Sequence, residues 1–123
     1  MAGMTKEILL KRTQSLASEV ILLSQKIVPS HINKRMISQV IASAGSIGAN
    51  YCEAIEAESK KDFIHKLSLS KKEIKETLHW LYLLSVAHPE HSIQIEGIKD
   101  EVRQLLLIFS KSISTLKNKS AIK

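Results

Sequence analysis

The stretch SKKDFIHKLSLSKKEIKETLHWLYLLSVAHP, residues 59–89, decides the fold class. Within it Phe63, Leu67, Ser70, Ile74, Thr77, Leu81 and Leu84 recur in steps of three and four, the spacing that lays side chains along one stripe of an α-helix. Ser59 and Asp62 stand at the separation of a capping box, with Asp in place of the usual Glu. Pro89 bounds the far end, because proline cannot continue a helix. The stretch predicts a helix over 60–87.

The same period continues outward on both sides. Upstream, Ile37, Val40, Ala44, Ile47, Tyr51 and Ala54 predict a helix over about 33–56, and Leu9, Thr13, Leu16, Val20, Leu23 and Ile27 another over about 5–28, closed by Pro29. Downstream, Ile95, Ile98, Val102, Leu105, Phe109 and Leu116 predict a fourth over about 94–118, with a basic, frayed tail from Lys117 to Lys123. Connections of only a few residues force neighbouring helices to run antiparallel. The expectation is an all-α, up-down-up-down four-helix bundle.

Composition agrees with helices. The 123 residues contain 4 Gly, 2 Pro and 4% aromatics, whereas an all-β domain of this size needs many Gly and Pro turns and aromatic strands. That length suits one domain spanning 1–123. No apolar run reaches the roughly 18 to 20 residues that cross a bilayer. The opening MAGMTKEILLKR lacks a secretory apolar region, and the lone Cys52 cannot form an internal disulfide. A reducing cytoplasm, without membrane contact, is the expected setting.

The formal net charge of +6 is unevenly spread. Residues 1–58 carry +1, 59–75 carry +4, 76–110 carry −3 and 111–123 carry +4. An up-down bundle places the start of helix 3 and the end of helix 4 at one end, where Lys6, Lys11 and Arg12 are expected to join them. On helix 3, Lys60, Lys61, His65, Lys71, Lys72 and Lys75 fall within an arc of about 140° beside the apolar stripe. Lys60 and Lys61 lie in the first turn, where the helix dipole disfavours cations. Phosphate would give them a use, although a wet helix surface also tolerates them.

Helix 2 carries a second pattern. Ser38, Ala42, Gly45 and Ala49 project within about 60° of one another, with Ala44 and Gly48 nearby. Each mid-helix glycine costs roughly 0.5–1 kcal/mol relative to alanine, so a close approach is expected, either within the chain or between subunits. The polar residues at the stripes, Ser46, Asn50, Glu53, Ser70, Glu73 and Thr77, are expected to form a hydrogen-bonded group linking helices 2 and 3.

Catalytic patterns are missing from the sequence. Glu76 and His79 form a single Glu-x-x-His unit, while a di-iron bundle needs two plus further carboxylates. His31, His88 and His91 gather at the end opposite the lysines, where three histidines can hold a transition metal, although loop histidines usually do not. Cys52 has no partner constellation, and no glycine-rich phosphate loop is present. The reading is a non-enzyme without a cofactor or metal.

The run Ser46-Ile-Gly-Ala-Asn50-Tyr-Cys-Glu53-Ala54, then Ser59-Lys-Lys-Asp-Phe63, then Lys72-Glu73-Ile-Lys-Glu76-Thr77-Leu-His-Trp80-Leu81, resembles the bacterial four-helix-bundle proteins of 23S ribosomal RNA intervening sequences. That family usually has Gly where this chain has Ala54. The resemblance covers most of the chain and implies a bundle similar to the accessory protein of diversity-generating retroelements. It implies a ring-like homopentamer with a basic surface, acting with a reverse transcriptase and RNA or DNA. The residues themselves single out Lys60, Lys61, Lys71, Lys72 and Lys75 for phosphate contact, with His65, Lys117 and Lys119 assisting. The rival expectation is an assembly scaffold that binds no nucleic acid.

Overall fold

In the computed structural model, residues 4–122 are described, with side chains described for 4–119. Four helices follow in order: α1 (Lys6–Gln25), α2 (Lys34–Ile55), α3 (Lys60–Ala87) and α4 (Ser92–Ile122). Each packs on its neighbours in the ring α1–α2–α3–α4–α1, and the diagonal pairs make no close backbone approach. Pairing of α2 with α3 is the most extensive, and that of α1 with α4 the least. This is an all-α, up-down four-helix bundle.

The periodic residues are the core. Leu16, Val20, Leu23, Val40, Ile47, Tyr51, Ile74, Leu81, Leu84, Val102, Leu105 and Phe109 are completely shielded, and burial of one such large side chain is worth about 1.5–3 kcal/mol. Tyr51 and Phe109 meet across the bundle edge to face, with ring centres 5.5 Å apart. Ile37, Phe63 and Leu116 pack at the margin, and Ile113 completes the α4 stripe.

Caps set the boundaries. Thr5 Oγ1 accepts from the Ile8 amide at 3.1 Å, and Ser59 Oγ from the Asp62 amide at 3.0 Å. Helix α1 ends at Gln25, three residues before the expected 28: Lys26 and Ile27 donate back to Leu23 and Ser24 in a tightened turn. Pro29 keeps Val28 out of helical geometry. At the other connection a single 3-10 turn, Pro89–His91, feeds straight into α4, so that helix begins at Ser92 rather than 94. The expected frayed tail is instead helical to Ile122. Leu116 packs against the core, and lysines near a helix C-terminus are favoured by its dipole. Lys123 lies outside the described residues.

Asn33 ties the two connections at one end together. Its Oδ1 accepts from the Ser30 amide at 2.8 Å, its Nδ2 donates to the Val28 carbonyl at 2.9 Å, and Nδ2 also lies 3.0 Å from His88 Nε2. Those backbone contacts fix the amide's orientation, so His88 Nε2 must accept. Its proton therefore sits on Nδ1, 3.1 Å from Glu90 Oε2.

Candidate nucleic-acid interface

The start of α3 and the end of α4 meet. Lys60 and Lys61 share a hollow with Ile64 and Lys117, and Lys71, Lys72 and Lys75 surround a second, shallower one with Ser68. Twelve residues separate Lys60 from Lys72, or roughly 18 Å along the helix. His65 is exposed on the same arc and lines neither hollow. Among the described residues, none of these lysines has a carboxylate within ion-pair distance.

The remaining cations divide. Lys6 does join this end: its ammonium lies 5.3 Å above the Phe63 ring, and it shares a depression with Lys60. Arg12 does not, because Glu101 Oε1 and Oε2 hold its guanidinium at 2.7 and 3.0 Å, with Gln104 at 3.1 Å. That bidentate pair ties α1 to α4 and raises the Arg12 pKa through the bond to Glu101. Lys11 is exposed and apart from the hollows. Lys119 turns away from Lys117 to the rim of a different cleft, which also holds Lys6 and Lys111.

The polar residues separate into three groups. Ser70 Oγ donates to the Ile47 carbonyl at 2.9 Å, and the hydroxyls of Thr77 and Ser43 share a hydrogen bond at 2.9 Å; these buried contacts join α2 to α3. Glu53 joins the same helices from outside, through Lys66 at 2.7 Å. Asn50 instead turns back on its own helix and donates to the Ser46 carbonyl at 2.9 Å, so the expected link through Asn50 and Ser46 does not form. Glu73 lies half-buried beside Glu76; burial, then that neighbour, pushes its carboxyl above the ordinary range, while Lys72 works against the shift. Ser43 escaped the sequence reading, although its position three residues after Val40 placed it on the buried stripe.

The small residues also divide. Ser38, Ala42, Gly45 and Ala49 are all solvent-exposed, and a Cβ at Gly45 would meet nothing within 4 Å. Packing inside the chain therefore does not account for them. The close approach belongs to Gly48, where a Cβ would stand 3.0 Å from Thr13 Oγ1.

For metal chemistry, no three His, Cys, Asp or Glu side chains among the described residues are grouped to hold an ion. His88 and His91 lie with ring centres 6.3 Å apart, while His31 is exposed in the α1–α2 connection. Among the described residues, no helix is long and apolar enough to cross a membrane.

A model of the 23S rRNA-intervening sequence protein family matches residues 5–111. The chain belongs to this family. A solved relative is a protein of unknown function from the S23 ribosomal protein family of Bacteroides thetaiotaomicron. It is 30% identical, with a TM-score of 0.81, covering 90% of this chain and 99% of that one. A comparison with curated proteins found no match. As a 23S rRNA-intervening sequence protein, the chain has the motif positions Ser46, Asn50, Glu53, Glu73 and Thr77 spread along the α2–α3 pairing. Ala54 is buried at the end of α2, where the resemblance leads one to expect Gly.

Proposed function

We propose that this chain is a non-enzymatic basic bundle that assembles with copies of itself and binds nucleic acid through phosphate contacts. The clustering of unpaired lysines carries the reading. Arg12, Lys66, Lys99 and Arg103 are held by carboxylates at 2.7–3.7 Å, whereas Lys60, Lys61, Lys71, Lys72, Lys75 and Lys117 line two hollows without ion-pair partners among the described residues. Flexible ammonium groups on an exposed helix face suit phosphate as point charges, with little discrimination between bases. A cytoplasmic setting fits such a role. The family resemblance adds a reverse transcriptase to the candidate partners.

The test replaces Lys71, Lys72 and Lys75 by Glu and follows fluorescence anisotropy of labelled RNA and DNA duplexes over a salt series. If each subunit neutralises about six phosphates, log K should fall against log salt with a slope of roughly −5 on DNA. The triple variant should lose that affinity while keeping its mass in light scattering. Tight binding without salt dependence, or an unchanged affinity in the variant, refutes the phosphate mechanism.

A scaffold that binds no nucleic acid is the second reading, favoured by the exposed face of Ser38, Ala42, Gly45 and Ala49. Both readings place that face between subunits, with a pentamer as the assembly. Gly45→Leu should then lower the mass seen by light scattering; a variant that keeps the wild-type mass refutes this interface.

A further inference from the structure

Beside the lysine stripe, the same end of the bundle opens into an apolar cleft of about 300 Å³. Its lining comes from all four helices, at the end of the bundle where α1 and α3 begin. Leu9, Tyr51, Phe63, Leu67 and Phe109 form its walls. The chain has only 2 Phe, 2 Tyr and 1 Trp, and both phenylalanines and one tyrosine converge here. Lys6, Lys111 and Lys119 stand around the cleft.

Two polar atoms in this lining have no use in the fold. Tyr51 is fully buried, and neither its hydroxyl nor the buried Ser112 Oγ has a hydrogen-bond partner among the described residues. Buried hydroxyls are nearly always paired, and leaving one unpaired is unfavourable. Two such orphans in the lining of one cleft mark a place where a ligand is expected to supply the partners, and because both oxygens are closed to solvent the lining side chains must shift to admit it. Burial pushes the Tyr51 phenol above its ordinary range, so it is a donor at neutral pH.

The occupant must have an apolar face, polar atoms at an edge and a negative charge. An alkyl carboxylate meets the first and last requirements but leaves both hydroxyls unpaired. A nucleobase carrying a phosphate meets all three. We propose that this cleft takes one unstacked nucleotide, with the base between the apolar walls, its polar edge at Tyr51 and Ser112, and its phosphate at Lys6, Lys111 and Lys119. A base inside a duplex cannot enter, so the cleft gives the protein a preference for unpaired nucleotides that the α3 lysines alone do not supply. The source of the nucleotide, a strand, rests on the phosphate-binding reading above; the ligand chemistry rests on the cleft's own residues.

The test titrates AMP, inorganic phosphate and decanoate separately into the full chain labelled with 15N. AMP should shift the amides of Leu9, Phe63, Leu67 and Ser112 saturably, while phosphate alone leaves Leu9 and Leu67 unmoved. Tyr51→Phe should weaken AMP about 3- to 10-fold, as expected for one lost hydrogen bond, and should melt no lower than wild type because its hydroxyl makes no bond in the fold. Ser112→Phe, which fills the cleft, should abolish the AMP shifts. Decanoate saturating where AMP does not, AMP shifts confined to the α3 lysines, or equal AMP affinity in Tyr51→Phe overturns the proposal.

A single strand and a blunt duplex of equal charge identify the source. Tighter shifts of the same amides by the strand point to an unpaired residue of a chain, and binding of AMP alone points to a free nucleotide; either supports the cleft. Because Lys71, Lys72 and Lys75 lie outside it, their replacement by Glu should remove duplex binding and leave AMP binding intact. The two readings therefore fail separately.

Discussion

Two glycines three residues apart on α2 should respond in opposite ways to the same substitution. A Cβ at Gly45 meets nothing within 4 Å, so Gly45→Ala gains helix propensity without a clash, about 0.5–1 kcal/mol. For a chain between the sizes where such shifts are calibrated, that is roughly 2–5 °C in Tm. At Gly48 the added carbon would stand 3.0 Å from Thr13 Oγ1 and 3.6 Å from Thr13 Cβ. Thr13 is fully buried, and its hydroxyl donates to the Leu10 carbonyl at 2.6 Å. A β-branched side chain so held has few rotamers to escape into, so α1 and α2 must move apart. Overpacking costs about 1–3 kcal/mol, which cancels or exceeds the propensity gain. Gly48→Ala should therefore melt at or below wild type, by up to several degrees. Thermal and urea unfolding measure both changes, repeated at several protein concentrations because Gly45 lies on the proposed subunit face. In a Thr13→Ala background the obstructing oxygen is gone, and Gly48→Ala should become favourable, a coupling of about 0.5 kcal/mol or more. Equal stabilisation by the two single substitutions would show that Gly48 is not a contact point and would refute the reasoning.

Thr77→Val keeps the volume but removes the 2.9 Å bond to Ser43 Oγ, which is left with only its longer 3.3 Å bond to the Val40 carbonyl. It should cost about 1–2 kcal/mol in urea unfolding, most of it regained when Ser43→Ala is added; a neutral single variant contradicts this role. At Glu73, the raised carboxyl pKa means that the native state binds the proton more tightly than the unfolded chain does. Its contribution to stability is fully present below the unfolded pKa and is lost as pH rises through the folded value. Glu73→Gln should thus raise Tm relative to wild type near pH 7 and lose that advantage at about pH 3, where both side chains are neutral. A difference that does not change with pH would place the cause elsewhere.

The helices were legible because burial in a bundle is periodic, and Leu16, Ile47, Ile74 and Leu105 each lie where the period puts them. Contacts that depend on a neighbouring helix's register were not. Small size marks Gly45 and Gly48 alike, and only the placement of Thr13 on α1 makes one a contact and leaves the other in solvent. Position in the chain groups Arg12 with the lysines. The vertical register of α1 against α4 puts Glu101 and Gln104 opposite it instead. The place of Asn50 beside the stripe points it across to α3, yet the Ser46 carbonyl is available one turn back on its own helix. The role of His88 has no signal in the sequence either, since it is an amide with both ends already committed to backbone that makes its ring an acceptor. The apolar cleft had no sequence signal beyond the positions of Phe63 and Phe109, each of which reads as ordinary core.

The chemistry of the cations sharpens the charge argument. Of the three arginines, Arg35 makes no ion pair among the described residues, Arg103 bridges Glu96 and Asp100 through a single nitrogen, and Arg12 forks onto Glu101 of α4. The planar guanidinium suits that fork, and Arg12 and Arg103 thereby belong to the scaffold. The partnerless cations of the α3 stripe and the α4 end are all lysines, which bring a hydrated point charge on a mobile stem and no preferred bidentate partner. A surface selected to read a base edge would be expected to use arginine or amide forks. A lysine surface holds a phosphate chain at many registers with similar energy. Any selectivity must then come from a feature with fixed shape, and at this end of the molecule that feature is the walled cleft beside Lys6, which shares Lys6 and Phe63 with the depression that reaches Lys60.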